Sequence, residues 1–198
     1  VYPEFLLTKE RPAPGAKPRA EFARMLTSNK QFARLAVNMI WAKLMTVGIV
    51  DPPFDWDLDR QDPRSPPPSP WTIQPSHPYL LEDLAKYFKD SGYDLRQFIR
   101  LICRSNTYQL SSRFEGEYKR EYDRYYARKL IRRLAAEEIY DALAKSTNVF
   151  GHEVDRDFDS NGHRIRKWTS GYAMDLPGPL LEKIFCDEDL KEFLYFFG

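Results

Sequence analysis

The chain has 198 residues, 30 basic against 29 acidic side chains, a net charge of +1, and 42% hydrophobic content. That balance excludes a disordered acidic or basic tail and provides no strong field for nucleic acid, while the length suffices for a single domain, 1–198, with a real core. The chain opens at Val1 without methionine or leader and ends at Gly198. The expectation is a piece of a longer multidomain protein, and a missing leader then says nothing of the parent's compartment.

Pro18 to Thr27 predicts a short helix with Phe22, Met25 and Leu26 facing inward. Asn29 to Val50 is apolar around nearly its whole circumference, with Gln31, Arg34 and Asn38 as a thin polar row and Lys43 an isolated charge. A helix of that kind is a buried central helix, too short and too interrupted to span a membrane, and Gly48 is expected to stop it. Pro52 to Pro78 cannot sustain helix or central strand, because proline fixes φ and removes donors. It reads as a crossover loop pinned by Trp56, Trp71 and Ile73, with a PxxP ligand as the functional alternative.

Ser76 to Ser112 has the clearest punctuation. Ser76 reads as an N-cap, with Pro78 in the first turn. Leu80, Leu81, Leu84, Tyr87 and Phe88 then form one stripe, and Gly92 ends the helix as a left-handed cap. Asp94 caps a second helix with a Leu95, Phe98, Ile99 and Ile102 stripe, so short a link making antiparallel or steeply crossed neighbours. Arg113 to Arg133 interleaves Tyr with Arg, but its acids alternate with its bases, which argues for a solvated helix face over a strand-binding surface. Tyr122 to Lys145 has helical register throughout and predicts the longest helix.

Glu153 to Trp168 reads as a β-hairpin around Asn161-Gly162. Asp155, Asp157 and Asp159 imitate the start of a calcium loop, but Ser160 and Arg166 stand where the turn glycine and bidentate carboxylate belong. Cys103 and Cys186 belong to no CxxC or CxxCH pattern, which excludes haem attachment and a zinc site. They could pair in a secreted protein or remain buried thiols. No cofactor or metal is expected.

Two constellations have catalytic interest. Arg133, Glu137 and Asp141 lie at i, i+4 and i+8 of the expected long helix, where two carboxylates could share a proton, or could simply be an ion-pair ladder. His77 sits in a first helical turn, whose dipole favours the neutral imidazole, but no Ser or Cys pairs with it by spacing. Trp56, Trp71, Trp168 and Tyr172 fall in loops or hairpin and have the flat apolar faces on which sugar rings stack, unless they only bury loops against the core.

Five motifs in order carry a resemblance: NMIW followed by GIV (Asn38 to Val50), SHPYLLEDLAKYF (Ser76 to Phe88), GYDL (Gly92 to Leu95), IRLICRSNTYQLSS (Ile99 to Ser112) and RRLAAE (Arg132 to Glu137). LPGP (Leu176 to Pro179) and FLYFFG (Phe193 to Gly198) extend it to the C-terminus. Together they resemble the planctomycete surface domain family, a domain of unknown function in large secreted bacterial proteins, often beside a cytochrome c-like module. Met39, Lys43 and Thr46 depart from the family's usual Arg, His and Gly. The expected fold is all-α, an irregular bundle of five or six helices around a buried central helix, with a proline-rich crossover and one small hairpin. The resemblance implies a secreted or cell-envelope setting and flanking domains of the parent chain as partners. The expected role is a non-catalytic partner- or glycan-associated module, with polysaccharide as a ligand and neither nucleic-acid binding nor membrane insertion. A hydrolase of polysaccharide or its sulfate esters is the alternative, and convergence of His77, Glu137 and Asp141 on one cleft would favour it.

Overall fold

Proline placement and capping side chains set the helix starts. In the computed structural model, which describes residues 4–148, 173 and 188–197, α1 (Pro18–Ser28) opens on a proline whose missing N–H would have had no helical partner anyway. Asn29 ends α1 and caps α2 (Lys30–Met45), its side-chain oxygen accepting from the Gln31 N–H at 2.8 Å. Then follow α3 (Pro78–Asp90), α4 (Leu95–Arg104), α5 (Ala136–Thr147) and α6 (Glu188–Phe197), with 3-10 turns at Leu58–Arg60 and Arg120–Tyr125. The regular structure among the described residues is helical, with no strand. The chain divides into two compact units, Val1–Ile131 and Arg132–Gly198.

In the first unit, α2 contributes Ala33, Val37, Trp41 and Met45 to a core completed by Leu81, Leu84, Ala85 and Phe88 of α3 and Phe98 and Ile102 of α4. The α3–α4 link follows its punctuation. Gly92 is left-handed at φ +67°, its N–H bonds Lys89 O at 3.0 Å and the Tyr93 N–H bonds Phe88 O at 2.9 Å, the paired closure that satisfies the last carbonyls of a helix. Asp94 accepts from the Gln97 N–H at 2.9 Å. Tyr93 joins three helices: its ring lies edge-on to Phe32 and Phe88, and its hydroxyl donates to Thr27 O at 2.9 Å.

Several expectations are corrected. α2 is not apolar-buried all round: Met39 and Lys43 are exposed, while Arg34 and Asn38 of the supposed polar row are buried. Asn38, fully buried, donates to Val50 O and accepts from Val50 N–H, both at 2.9 Å, so the amide substitutes for a backbone strand and folds the following loop onto the helix. The helix ends at Thr46, φ +78°, before Gly48. Gly48 has a different task, since a Cβ there would stand 2.2 Å from Val50 O. On α1 only Met25 is buried, with Phe22 and Leu26 exposed. His77, not Ser76, is the N-cap of α3, because the Ser76 hydroxyl donates to Ile49 O at 3.1 Å.

The long helix over Tyr122 to Lys145 does not form. Tyr126 is left-handed at φ +52° and buried, its ring 5.3 Å from that of Trp41 and its hydroxyl 3.4 Å from Val47 O. Lys129 donates to Leu44 O at 2.7 Å, satisfying a carbonyl in the last turn of α2, with its ammonium 3.4 Å from the centre of the Tyr108 ring. Continuing the helix through these residues would forfeit both contacts. Regular helix resumes only at Ala136.

In the second unit, Glu138 organises the start of α5: it accepts both Arg132 nitrogens, at 2.9 and 3.0 Å, and the Ala135 N–H at 2.9 Å. α5 packs on α6 through Tyr140 and Phe193, rings 5.5 Å apart. The expected hairpin of Glu153 to Trp168 lies outside the described residues.

Candidate functional site

The proline-rich segment is ordered by its own polar groups. Trp56 donates its indole N–H to Pro53 O at 2.8 Å and packs on the core, the role of loop anchor. Gln61 donates to Asp57 O and to the Gln74 side-chain oxygen, at 2.7 and 2.6 Å, and Arg60 donates to Thr72 O at 2.8 Å. These bonds fold the loop into a double layer, on which Trp71 stands 59% exposed with the Arg60 guanidinium 5.0 Å from its ring centre.

Between this loop and the first turns of α2 and α3 lies a cleft of about 700 Å³ in the first unit. Arg34 and Gln61 line it, 9% and 5% exposed. Arg34 is ion-paired to Glu82, yet its Nε–H is buried without an acceptor. Gln61 spends its amide hydrogens on the loop, and its Oε1 is buried without a donor. Burial pushes the Arg34 guanidinium below its usual pKa, an effect the Asp62 carboxylate partly offsets. Tyr79, 63% exposed, and Leu58 present apolar surface at the same cleft. Unpartnered buried donors and acceptors cost about 1–3 kcal/mol each, so the wall behind this cleft gives up stability at Arg34 and Gln61.

His77 belongs to a second cluster. Its Nδ1 lies 3.0 Å from the Ser76 hydroxyl, and its ring packs at 5.6 Å on Tyr126 and at 6.3 Å on Tyr125. Burial first, then the Arg124 charge, lower its pKa from the ordinary 6.5, keeping the imidazole neutral. Burial also pushes the Tyr126 phenol up to about 12, against the opposing pull of Trp41 and Ser76. This arrangement holds the 122–126 segment on the core and, among the described residues, brings no nucleophile to the imidazole beyond the Ser76 hydroxyl, itself committed to Ile49 O.

Arg133, Glu137 and Asp141 do not form one helical ladder, since α5 starts at Ala136 and leaves Arg133 exposed in the extended segment before it. Arg132, its neighbour, takes the ion-pairing role with Glu138. Asp141 accepts the Ala173 N–H. Glu137 and Asp141 stand in the second unit and His77 in the first. Of the aromatic candidates, Trp56 is a loop anchor and Trp71 an exposed face, while Trp168, Tyr172 and also Cys186 lie outside the described residues. Cys103 is half-buried on α4. No cluster of three metal-ligating side chains occurs among the described residues, nor is any described helix long and apolar enough to cross a membrane.

Sequence reasoning missed Arg34 and Gln61 as site residues. Arg34 had a signal: a charge beside Ala33 and one turn before Val37 and Asn38, on the row that is buried. Gln61 had none, because its burial depends on Gln74, 13 residues away.

The motifs that punctuate this fold fall inside a match to a known family, described as PSD1, protein of unknown function (DUF1553), over residues 18–160. The chain belongs to that family. The DUF1553 match covers α1 to α5, and so includes every residue of the cleft except Leu7 and Thr8. The chain matches no curated protein and no solved structure.

Proposed function

We propose that this DUF1553 chain is a non-catalytic binding module of a larger secreted or cell-envelope bacterial protein, and that its cleft engages glycan. The observation that carries this reading is the cleft of about 700 Å³, lined by polar and charged side chains that include Gln31, Glu82 and Asp83. A hydroxyl donates and accepts at once, so a polyhydroxylated ligand suits a lining that mixes donors with acceptors, and the volume accommodates one or two sugar rings. Tyr79 at the rim and Trp71 on the adjoining loop supply exposed aromatic faces for stacking. The secreted setting, and partners among flanking domains, follow from the same family resemblance.

A polysaccharide array followed by calorimetry, with product analysis on the same samples, tests the reading. Binding without bond cleavage, weakened by Tyr79→Ala, is the expected result. Cleavage abolished by His77→Ala or Glu137→Gln would replace it with the hydrolase alternative, and no binding to any glycan would overturn it.

A further inference from the structure

A second exposed feature of the first unit lies on α4, none of whose residues lines the cleft. Residues 95–114 contain four arginines and no acidic side chain. Three of them, Arg96, Arg100 and Arg104, fall four apart on this helix of 10 residues, and all three are exposed. Four residues advance an α-helix by about 6 Å and turn it by about 40°, so the three share one side of α4 in a row about 12 Å long. Phe98 and Ile102, on the other side, are buried in the core.

The row works against the helix that holds it. Like charges four apart on a helix repel, and Arg96, in the first turn, also stands at the positive end of the helix dipole. On α1 and α3 a base is balanced within the same helix, Arg24 by Glu21 and Lys86 by Asp90. The carboxylate that adjoins α4 in sequence, Asp94, is taken by the Gln97 N–H. Among the described residues none of the three arginines makes an ion pair.

Three unengaged guanidinium forks fit an extended chain that presents one carboxylate after another, each fork taking a carboxylate in the bidentate manner. Gln97, exposed beside the row, has an amide suited to hydroxyl groups. No exposed aromatic side chain on α4 offers a base a stacking platform, and the row itself has no apolar residue around which a protein partner would close.

We propose that the arginine row of α4 binds a polyuronate, a polysaccharide with a carboxylate on each sugar, lying along the helix as a second surface besides the cleft. The choice of a saccharide rests on the glycan reading above.

Calorimetry on the full chain with hexagalacturonate and its fully methyl-esterified form, which keeps the sugars and removes the charges, tests this. The acid should bind about tenfold more tightly than the ester, and less tightly as salt rises. Arg100→Gln should weaken the acid by about tenfold, and the triple variant Arg96→Gln, Arg100→Gln, Arg104→Gln should bring it level with the ester. Lys43→Gln, the same charge change at an exposed position of α2, should leave it unchanged. Because the row repels itself, the triple variant should melt no lower than the parent; a lower melting point would assign the arginines to the fold and overturn the proposal. Full affinity in the triple variant, or an equal loss with Lys43→Gln, would overturn the row as the site. Tighter binding of poly-glutamate or duplex DNA to the same arginines would overturn polyuronate as the ligand. Hexagalacturonate binding lost on Tyr79→Ala and kept in the triple variant would overturn this inference and leave the glycan reading of the cleft standing. No binding of hexagalacturonate would overturn this inference alone, since the array decides the cleft.

Discussion

Two long segments between α-helices in the first unit, residues 46–77 and 105–131, reach order by opposite routes. The first is saturated with proline and is fixed largely by local polar contacts: Trp56 to Pro53, Arg60 to Thr72, Gln61 and Gln74 to backbone within 19 residues. The second has the register of a helix and abandons it for two distant anchors, Tyr126 on Trp41 and Lys129 on Leu44. Where proline forbids a regular ladder, side chains replace it nearby. Where the sequence permits a helix, burying one tyrosine and satisfying one carbonyl outweigh the propensity, which amounts to only a few tenths of a kcal/mol per residue.

Removing the surface that the second segment docks on should have the largest effect. Trp41→Ala deletes a 5%-exposed ring that packs in the core and against Tyr126, and should cost about 4 kcal/mol in chemical denaturation. A midpoint within a degree or two of the parent in a thermal melt would remove Trp41 from the core.

Asn38→Ala attacks the first segment where it leaves α2, stranding both the N–H and C=O of Val50. The expected loss is about 3 kcal/mol. Hydrogen exchange should locate it, with faster exchange at Val50 and along the loop while the α3–α4 link keeps its protection.

The third test uses pH. Tyr126 has its folded pKa raised from 10.0 to about 12, so the stability tied to its neutral phenol is intact below pH 10 and declines as pH rises from 10 toward 12. The parent should lose about 2 kcal/mol over that window through this group, and Tyr126→Phe should flatten the alkaline limb. An unchanged limb would mean that the phenol is solvated and the segment is not docked.

The smallest effect is expected at a purely local device. Gly92→Ala places a side chain at φ +67°, where nothing lies within 4 Å to clash, so the backbone cost of about 1 kcal/mol stands alone.

Those contrasts account for what the sequence made legible. The α3–α4 pair was readable because Pro78, Gly92 and Asp94 act on neighbours within a few residues, and α1 and α2 were readable from Pro18 and Asn29. The break in the expected long helix was not, because Tyr126 is held by Val47, 79 positions away. The cleft was half legible. Arg34 stood on a row of buried residues but read as its solvent edge, since the sequence does not reveal that Asn38 on that row has Val50 as a partner. Gln61 entered through the fold of a loop whose path proline content predicts only as irregular.

The bond from Lys129 to Leu44 spans 85 residues, and this gives the chain a timetable. Closing a loop of that length costs about 4 kcal/mol of chain entropy, which a single amine–carbonyl contact does not offset, so α2, α3 and α4 have to assemble first and present a finished dock. A ribosome adding roughly 5–20 residues per second then leaves the finished dock without its partner for roughly 1–4 s, the time taken to pass from Arg104 to Tyr126. During that interval the nascent domain presents an aromatic patch to its surroundings, and a chain halted just short of Tyr126 would keep it permanently.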